Sequence, residues 1–465
     1  MERSLVRQTL EKVGSEVKLL GWVDTKRDHG KITFIDLRDY TGKIQCVAND
    51  GKMSELSTES VIELSGKVKK RPDSMVNKEL ETGEIELEVT TYSVLNKCKE
   101  LPIPLDTDGY DIKEEVRLKY RYLDLRRGRM QKILRLRSKY FRAIREYLLG
   151  RDFVEVETPM LTKSTKEGAR DFVVPSRHHP GKFYALPQSP QQYKQLLMTA
   201  GIERYFQTPR CIRDEDLRAD RGYEHTQLDL EMSFVTEEDI MELVQGAVVS
   251  AVKAVGGKLK DETFPIFTYK EAMEKYGADK FDIRTEKEKE EGILAFAWVT
   301  KFPFFKKVDK QDLAEVADGK SGWTFTHNPF SRPVAEHLEW HLKGEHVGDI
   351  LTTQYDLVCN GYEAGGGSLR TYTPEVLKAT YKIMGYSEAE MEAGVGHMLE
   401  AFSFGTPPHG GIALGLDRHI MILAGEESLK EVIAFPMSAS GKTAVMDAPS
   451  EIDPKQLKEL GLKLA

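Results

Sequence analysis

Residues 205–235 read YFQTPRCIRDEDLRADRGYEHTQLDLEMSFV, and their alternation decides what kind of sheet the chain builds. A strand is expected from Tyr205 to Ile212 and a second from Thr226 to Phe234, joined by a charged loop. Successive strand side chains point to opposite faces, so Gln227, Asp229 and Glu231 share one face while Leu228, Leu230 and Met232 take the other. An apolar underside below a row of amides and carboxylates is the floor of a polar pocket. Arg213 and Glu215 share a face as the first strand enters the loop. A solvated antiparallel pair alternates in the same way. Between 213 and 221, however, three arginines stand among four acids. That mixture suggests some guanidinium groups held by carboxylates and others left for an anionic ligand.

The segments that flank this stretch carry similar signals. Upstream, Ser189-Pro190-Gln191-Gln192-Tyr193-Lys194 starts a helix with a capping serine and a first-turn proline. Gln191 and Lys194 lie three apart on one face of it. A lysine so near a helix start opposes the dipole, which favours a functional reason for it. Downstream, residues 237–255 form an amphipathic helix, and Tyr355–Glu363 is a strand running into Gly365-Gly366-Gly367-Ser368 and Arg370. Asp356 and Glu363 are seven apart, so a plain strand puts them on opposite faces, and only a bulge or bend near Gly361 makes them co-facial. His409–Arg418 reads as strand, glycine turn and helix, with Gly415 open to a ligand and Arg418 at the helix start.

At 465 residues with 40% apolar and 31% charged content, the chain has room for about three domains and an enzyme-sized core. No apolar run reaches membrane-spanning length, and the first residues, MERSLVRQTLEKVG, lack the apolar centre of a signal peptide. Cys46, Cys98, Cys211 and Cys359 are too scattered for a disulfide framework or a metal cluster, and a cytoplasmic setting is expected. A net charge of -8 argues against binding nucleic acid by bulk electrostatics but leaves room for a local RNA groove. Ser440-Gly441-Lys442-Thr443 is not a phosphate-binding loop, because Pro436 stands where that motif needs glycine.

Five short strands are expected within residues 16–95, which fits a small barrel of the oligonucleotide-binding (OB) kind. Its first hairpin carries Lys26, Arg27, Asp28 and His29, followed by Phe34, Arg38 and Gln45. A basic edge beside an aromatic ring suits single-stranded RNA. Phe34 shares a face with Ile32, and the pattern alone leaves open whether that face is core. Pro102 and Pro104 mark a linker, and a basic run from Arg117 to Arg129 precedes a helix that Gly150 ends. Phe153–Leu161 is expected as a strand broken by Pro159, hence an edge that invites a partner subunit.

RLKYRYLDLRR, ALPQSPQQYKQLLM, RDEDLRADR, GYEAGGGSLR and GLDR together closely resemble the bacterial-type aspartyl-tRNA synthetases, a class II family, over essentially the whole chain. The resemblance implies an α+β protein. An N-terminal five-stranded OB-fold barrel (1–104) would bind the anticodon, and a linker or hinge (105–130) would lead to a class II catalytic domain (131–465). That domain would have an antiparallel sheet flanked by helices and would form a homodimer across the first class motif. It implies an ATP-dependent activation of L-aspartate, with Mg2+, followed by transfer to tRNA(Asp). Arg213 would hold the α-phosphate and Arg418 the γ-phosphate, Asp356 and Glu363 would bind magnesium, and Glu215 would accept from the adenine amino group. His225, Gly415 and Asp417 complete the ATP set. Lys194 and Arg370 would hold the substrate side chain, with Asp229 orienting them or the amine. Ser189, Gln191, Glu167 and His327 would line the rest of the aspartate site. Asp220 and Arg221 would meet the acceptor end of the tRNA. In the barrel, Phe34 would stack on an anticodon base, Gln45 would read the central base and Arg27 would make nearby backbone or base contacts. His29 resembles the relaxed members of the family, which also charge tRNA(Asn).

Three departures from that pattern stand out. TEKEKEEG (285–292) replaces a large inserted domain between the second and third motifs, His225 stands where phenylalanine usually stacks on adenine, and a pair of histidines has become His327-Asn328. An asparaginyl-tRNA synthetase is the nearest alternative, and Lys194 disfavours it because an ammonium has no good partner on a carboxamide. A non-catalytic RNA-binding paralogue would have lost at least one of Arg213, Glu215, Asp356, Glu363, Arg370 or Arg418, and all are present.

Overall fold

The computed structural model describes residues 2–49, 52–165, 169–310, 315–316 and 319–463. The chain divides into two compact units, Met1–Pro104 and Leu105–Ala465.

The first unit is a barrel of β1 (Glu16–His29), β2 (Ile32–Asp39), β3 (Gly42–Ala48), β4 (Val61–Lys70) and β5 (Ile85–Asn96). The order β1-β2-β3-β5-β4 closes through a β1–β4 pairing, and Arg3–Ser4 adds a short parallel stretch to β1. Inward positions such as Val17, Leu19, Val23, Ile35, Leu37, Ile44, Ile62 and Leu64 fill the interior. Strict period-two alternation is what lets so few residues close a core. Phe34 lies on the outward parity of β2, with Asp36 and Arg38, and belongs to the outer face and not to the core.

The second unit is built on a nine-stranded sheet. Its strands are β6 (Val154–Glu155), β9 (Arg204–Gln207), β10 (Arg210–Ile212), β11 (Glu224–Ser233), β12 (Ile266–Thr268), β13 (Phe296–Thr300), β14 (Gln354–Cys359), β15 (Tyr362–Leu369) and β16 (His409–Gly415); β7 (Val173–Pro175) and β8 (Phe183–Ala185) form a separate hairpin. The order is β12-β13-β14-β15-β16-β11-β9-β6, with β10 also on β11. The six central strands are antiparallel, and the outermost pairs β12–β13 and β9–β6 are parallel. The underside is apolar as its alternation requires. Phe206, Leu228, Leu230, Leu357, Ile412 and Leu414 pack on Tyr140, Ile144 and Leu148 of α1 (Gly128–Leu149) and on Ile240, Val244 and Val248 of α3 (Glu237–Ala254). Each such side chain contributes about 1.5–3 kcal/mol on burial.

Three expectations need correction. The strand Tyr205–Ile212 is two strands, because Pro209 cannot donate to the ladder and β9 and β10 resume on either side of it. Only Val154–Glu155 of Phe153–Leu161 is strand, pairing parallel with β9 at the sheet's edge. Residues 105–130 fold with the second unit and do not stand apart as a linker. Arg117, Arg121 and Arg127 converge on buried Asp124, while Arg117 and Arg129 bind Glu431, whose carboxyl burial would raise but these guanidinium groups hold near 2. TEKEKEEG forms local structure of its own. Thr285 caps a short helix α4 (Glu286–Glu290) in a reciprocal box with Glu288, and Lys260 pairs with Glu288 at 2.8 Å.

Candidate active site

The upper face of the sheet places the polar residues in rows. Cross-strand pairing aligns Asp356 with Gly366, Gly366 with Ala413, Ala413 with Asp229, and Asp229 with Gln207. The next row runs Gln354, Ser368, Gly411, Glu231 and Tyr205. Three strand spacings separate Asp356 from Asp229, about 14 Å, and only a glycine and an alanine lie between them. A small ligand can therefore lie on backbone with carboxylates at both ends. Gly411 is required: a Cβ there would sit 2.1 Å from the Leu230 carbonyl and 2.2 Å from Glu231 Oε2.

One end of the floor is a charge network. Lys194, on α2 (Gln191–Thr199), reaches Asp229 at 2.9 Å and Glu231 at 3.0 Å. Arg370 meets Glu231 through Nε at 3.1 Å, and donates to Ser368 Oγ at 2.8 Å and the Gly411 carbonyl at 3.2 Å. All four charged side chains are at most 3% exposed. Burial would raise the Glu231 carboxyl, but Arg370 and Lys194 outweigh it and hold the group below the usual carboxylate range. Burial wins at Asp229, which is raised. Glu231 is thus the hub on which both cations converge, and it belongs among the site residues. Its parity with Asp229 was the available signal. Gln191 stands one turn before Gln195, to which it donates at 3.1 Å, and Ser189 Oγ accepts from the Gln191 backbone at 3.2 Å.

The other end holds Asp356 and Glu363. The register shifts between Leu357 and Val358, so that Leu357 pairs with Gly365 and Val358 with Glu363. Ala364 is the extra residue of a bulge, which brings Glu363 to the face of Asp356. His327 Nε2 lies 3.2 Å from Asp356 Oδ2, and Gln354 donates to Oδ1 at 2.7 Å. His327 therefore sits with Asp356, and its partners are not those of the Lys194 cluster. Lys280 reaches Glu363 at 2.8 Å. Burial opposes ionisation of Glu363, yet Lys280 and Arg418 bring it down to about 2. No spacing in the sequence pointed to Lys280.

The remaining arginines differ in their partners. Arg213 donates Nε to the Gln188 carbonyl at 3.3 Å and has no carboxylate partner among the described residues. Arg221 binds Glu215 at 3.1 Å, Arg210 binds Glu224, and Arg170 binds Asp214 at 3.5 Å. Arg418 donates to the Glu363 carbonyl and to Asp220, at 3.2 Å from its backbone oxygen and 3.3 Å from Oδ2. His225 Nε2 is 2.9 Å from Gln227 Nε2, and burial together with Arg213 and Arg418 lowers its pKa to about 3, so the ring is neutral. Gly415 pairs with Gln227 and caps α5 (Leu416–Ala424). One carboxylate oxygen of Asp417 binds Arg137 of α1 and the other accepts from the Thr226 backbone at 2.7 Å, so Asp417 fastens helix to sheet. Glu167 lies outside the described residues.

In the first unit Arg27, His29, Phe34 and Gln45 occupy one outer face. Arg27 pairs across from Phe34 and donates to Gln45 at 3.2 Å, Gln45 donates to Glu86 at 2.9 Å, and the His29 and Phe34 rings meet edge-on at 5.7 Å.

The model for tRNA synthetases class II (D, K and N) matches residues 113–439, and that for an OB-fold nucleic acid binding domain matches 17–95. The chain belongs to the class II tRNA synthetases. It is 38% identical over 578 aligned positions to an aspartate–tRNA(Asp/Asn) ligase of Corynebacterium jeikeium, covering 97% of this chain and 96% of that protein. It is 37% identical to one of Treponema denticola, covering 99% of each. Within the class, the aspartate–tRNA ligases are its family. The alignment with the C. jeikeium protein exceeds this chain's 465 residues by more than a hundred positions, so that relative carries a segment absent here. The fold is shared with asparaginyl-tRNA synthetase of Pyrococcus horikoshii complexed with asparaginyl-adenylate (TM-score 0.73, 23% identity, 94% and 98% of the two chains). It is shared also with aspartyl-tRNA synthetase of Entamoeba histolytica (0.72, 20%, 94% and 91%).

Proposed function

We propose that the protein activates L-aspartate with ATP and transfers it to tRNA(Asp) and tRNA(Asn). The carrying observation is the buried Lys194–Glu231–Arg370 network: two fixed cations at one end of the floor, with Arg418 beside Glu363 at the other end and Arg213 on the motif loop for phosphate. Three of Arg370's five N–H groups are taken by the protein, leaving two for a substrate carboxylate. Asp229 and Glu231 balance the two cations, and the substrate's side-chain carboxylate faces Lys194 and Arg370 while its ammonium faces Asp229. Asparagine would leave charged donors facing an amide, at a cost of several kcal/mol, about 100-fold or more.

No side chain needs to form a covalent bond with substrate. The aspartate α-carboxylate attacks the α-phosphorus and pyrophosphate leaves, after which a terminal ribose hydroxyl of the tRNA attacks the adenylate carbonyl and AMP leaves. Orientation and charge neutralisation supply the rate. Arg213, held only through a carbonyl, faces the charge that grows on the α-phosphate, and Arg418 takes the outer phosphate. Glu215 accepts from adenine and the neutral His225 ring stacks on it. Asp356 and Glu363, made co-facial by the Ala364 bulge, fit Mg2+, which takes one or two carboxylates and leaves its other positions to phosphate and water. When bound, the ion neutralises phosphate charge.

The barrel face of Arg27, His29, Phe34 and Gln45 is the anticodon site. The exposed edge at Val154, with Met160 and Leu161 also exposed, supports a homodimer. A cytoplasmic location follows from the role in tRNA charging; no helix among the described residues is long and apolar enough to cross a membrane. Pyrophosphate exchange across the amino acids, followed by charging of both tRNAs, tests the assignment. Exchange with asparagine in preference to aspartate overturns the amino acid, and charging of tRNA(Asn) no faster than an RNA-free blank overturns the dual tRNA specificity.

A further inference from the structure

Residues 172–202 contain no aspartate or glutamate, although the chain carries 75 acids in 465 residues. The β7–β8 hairpin lies in this acid-free tract and presents Arg177, His178, His179 and Lys182 at its tip, all exposed. Ser176 donates its backbone N–H to the Lys182 carbonyl at 2.9 Å and accepts from His179 through Oγ at 3.2 Å, so the tip is a closed, ordered turn with Gly181 at φ 76°. Beside it stand Phe183 and Val173, 48% and 56% exposed, and Tyr184 at 39% on the opposite parity. Neither Arg177 nor Lys182 has a carboxylate partner among the described residues; Arg177 meets only the His178 ring, at 3.3 Å. Arg170, Arg210 and Arg221 nearby each pair with a carboxylate, whereas these two do not.

The base of the hairpin is fastened to the motif loop. Phe172 accepts from the Leu186 backbone, its ring packs edge-on against Tyr223 at 5.3 Å, and Tyr223 accepts from the Arg213 backbone at 2.8 Å. Pro187 accepts from Ile212 and Gln188 from the Arg213 guanidinium. The base of the hairpin and the Arg213 backbone are thus joined by direct contacts. Lys182 lies six residues along the chain from Gln188, a path of at most about 20 Å, which keeps the tip within reach of a tRNA end bound at Arg213.

We infer that the β7–β8 hairpin is a phosphate-backbone contact for the acceptor end of the tRNA, with Arg177 and Lys182 on phosphates and Phe183 against an unpaired base. The inference rests on the proposed aminoacylation. A polyanion that starts at the catalytic floor and leaves past the hairpin meets two unpaired cations beside an exposed ring, the combination that holds single-stranded RNA. A second copy of this chain, with net charge -8, is a poorer electrostatic match.

The test is the full-length double variant Arg177→Glu, Lys182→Glu, assayed for pyrophosphate exchange without tRNA and for charging of tRNA transcript at several salt concentrations. Exchange at the parent rate shows that site and fold are intact. The expected result is a tRNA KM raised 10-fold or more, with the slope of log kcat/KM against log salt reduced by about 1–2, near 0.7–0.9 per lost phosphate contact. Phe183→Ala should raise KM without changing that slope. Unchanged KM and slope, or a change in sedimentation mass, which would make the hairpin a subunit contact, overturns the inference. Failure of the parent to charge any tRNA would instead sink the enzymatic reading.

Discussion

Replacing Lys194 by methionine keeps the stem and removes the ammonium. That ammonium lies 2.9 Å from Asp229 and 3.0 Å from Glu231, and the three side chains are at most 1% exposed. Glu231 keeps Arg370 at 3.1 Å, while Asp229 has no other ion-pair partner among the described residues. Stranding a buried carboxylate costs about 3–5 kcal/mol, enough for Asp229, already raised by burial, to take up a proton. A carboxyl whose folded pKa exceeds its unfolded value adds stability below the unfolded value and loses it as pH rises through the folded one. The variant's melting temperature, relative to the parent, should therefore be highest near pH 4 and fall toward pH 8. For the substrate, one charge-assisted hydrogen bond of about 1.5–3 kcal/mol is lost, roughly a 10–150-fold drop in kcat/KM for aspartate. Asparagine, which gains little from the ammonium, should change by only a few fold. Pyrophosphate exchange with each amino acid over a pH series measures both effects. An aspartate-to-asparagine ratio within twofold of the parent would refute the role given to Lys194, as would parallel loss with both substrates.

Arg418→Ala removes the guanidinium that bridges the Glu363 carbonyl and Asp220; exchange should fall at least 100-fold while sedimentation mass stays at the parent value, and parent-like exchange would contradict its phosphate role. Phe34→Ala strips the outer-face ring from the barrel. Loss of one stacked base, about 1–3 kcal/mol, should raise tRNA KM some 5–150-fold with exchange unchanged, so altered exchange would count against an anticodon role. Asp417→Asn breaks the link from Arg137 to the Thr226 backbone. Stability should drop by about 1–3 kcal/mol in thermal melts, with the KM for ATP within twofold of the parent; a large rise in that KM would return Asp417 to the nucleotide site.

The residue order alone determined whatever depends on period and local chemistry. Alternation from Gln227 to Met232 specified both faces of the central strand, alternation in residues 16–95 specified the barrel, and Gly150 marked the end of α1. It also supplied the chemical types, arginines among acids and glycines before Arg370, from which family and reaction follow. Tertiary structure decided the rest, because partners hundreds of residues apart leave no spacing to read. Period two predicted opposite faces for Asp356 and Glu363, and an unpaired Ala364 reversed that. Asp417 stood in a motif, yet its oxygens were claimed by Arg137 and Thr226. Glu231 became the hub because Lys194 comes from a helix and Arg370 from a distant strand end, and only the folded sheet brings two such cations against one buried acid.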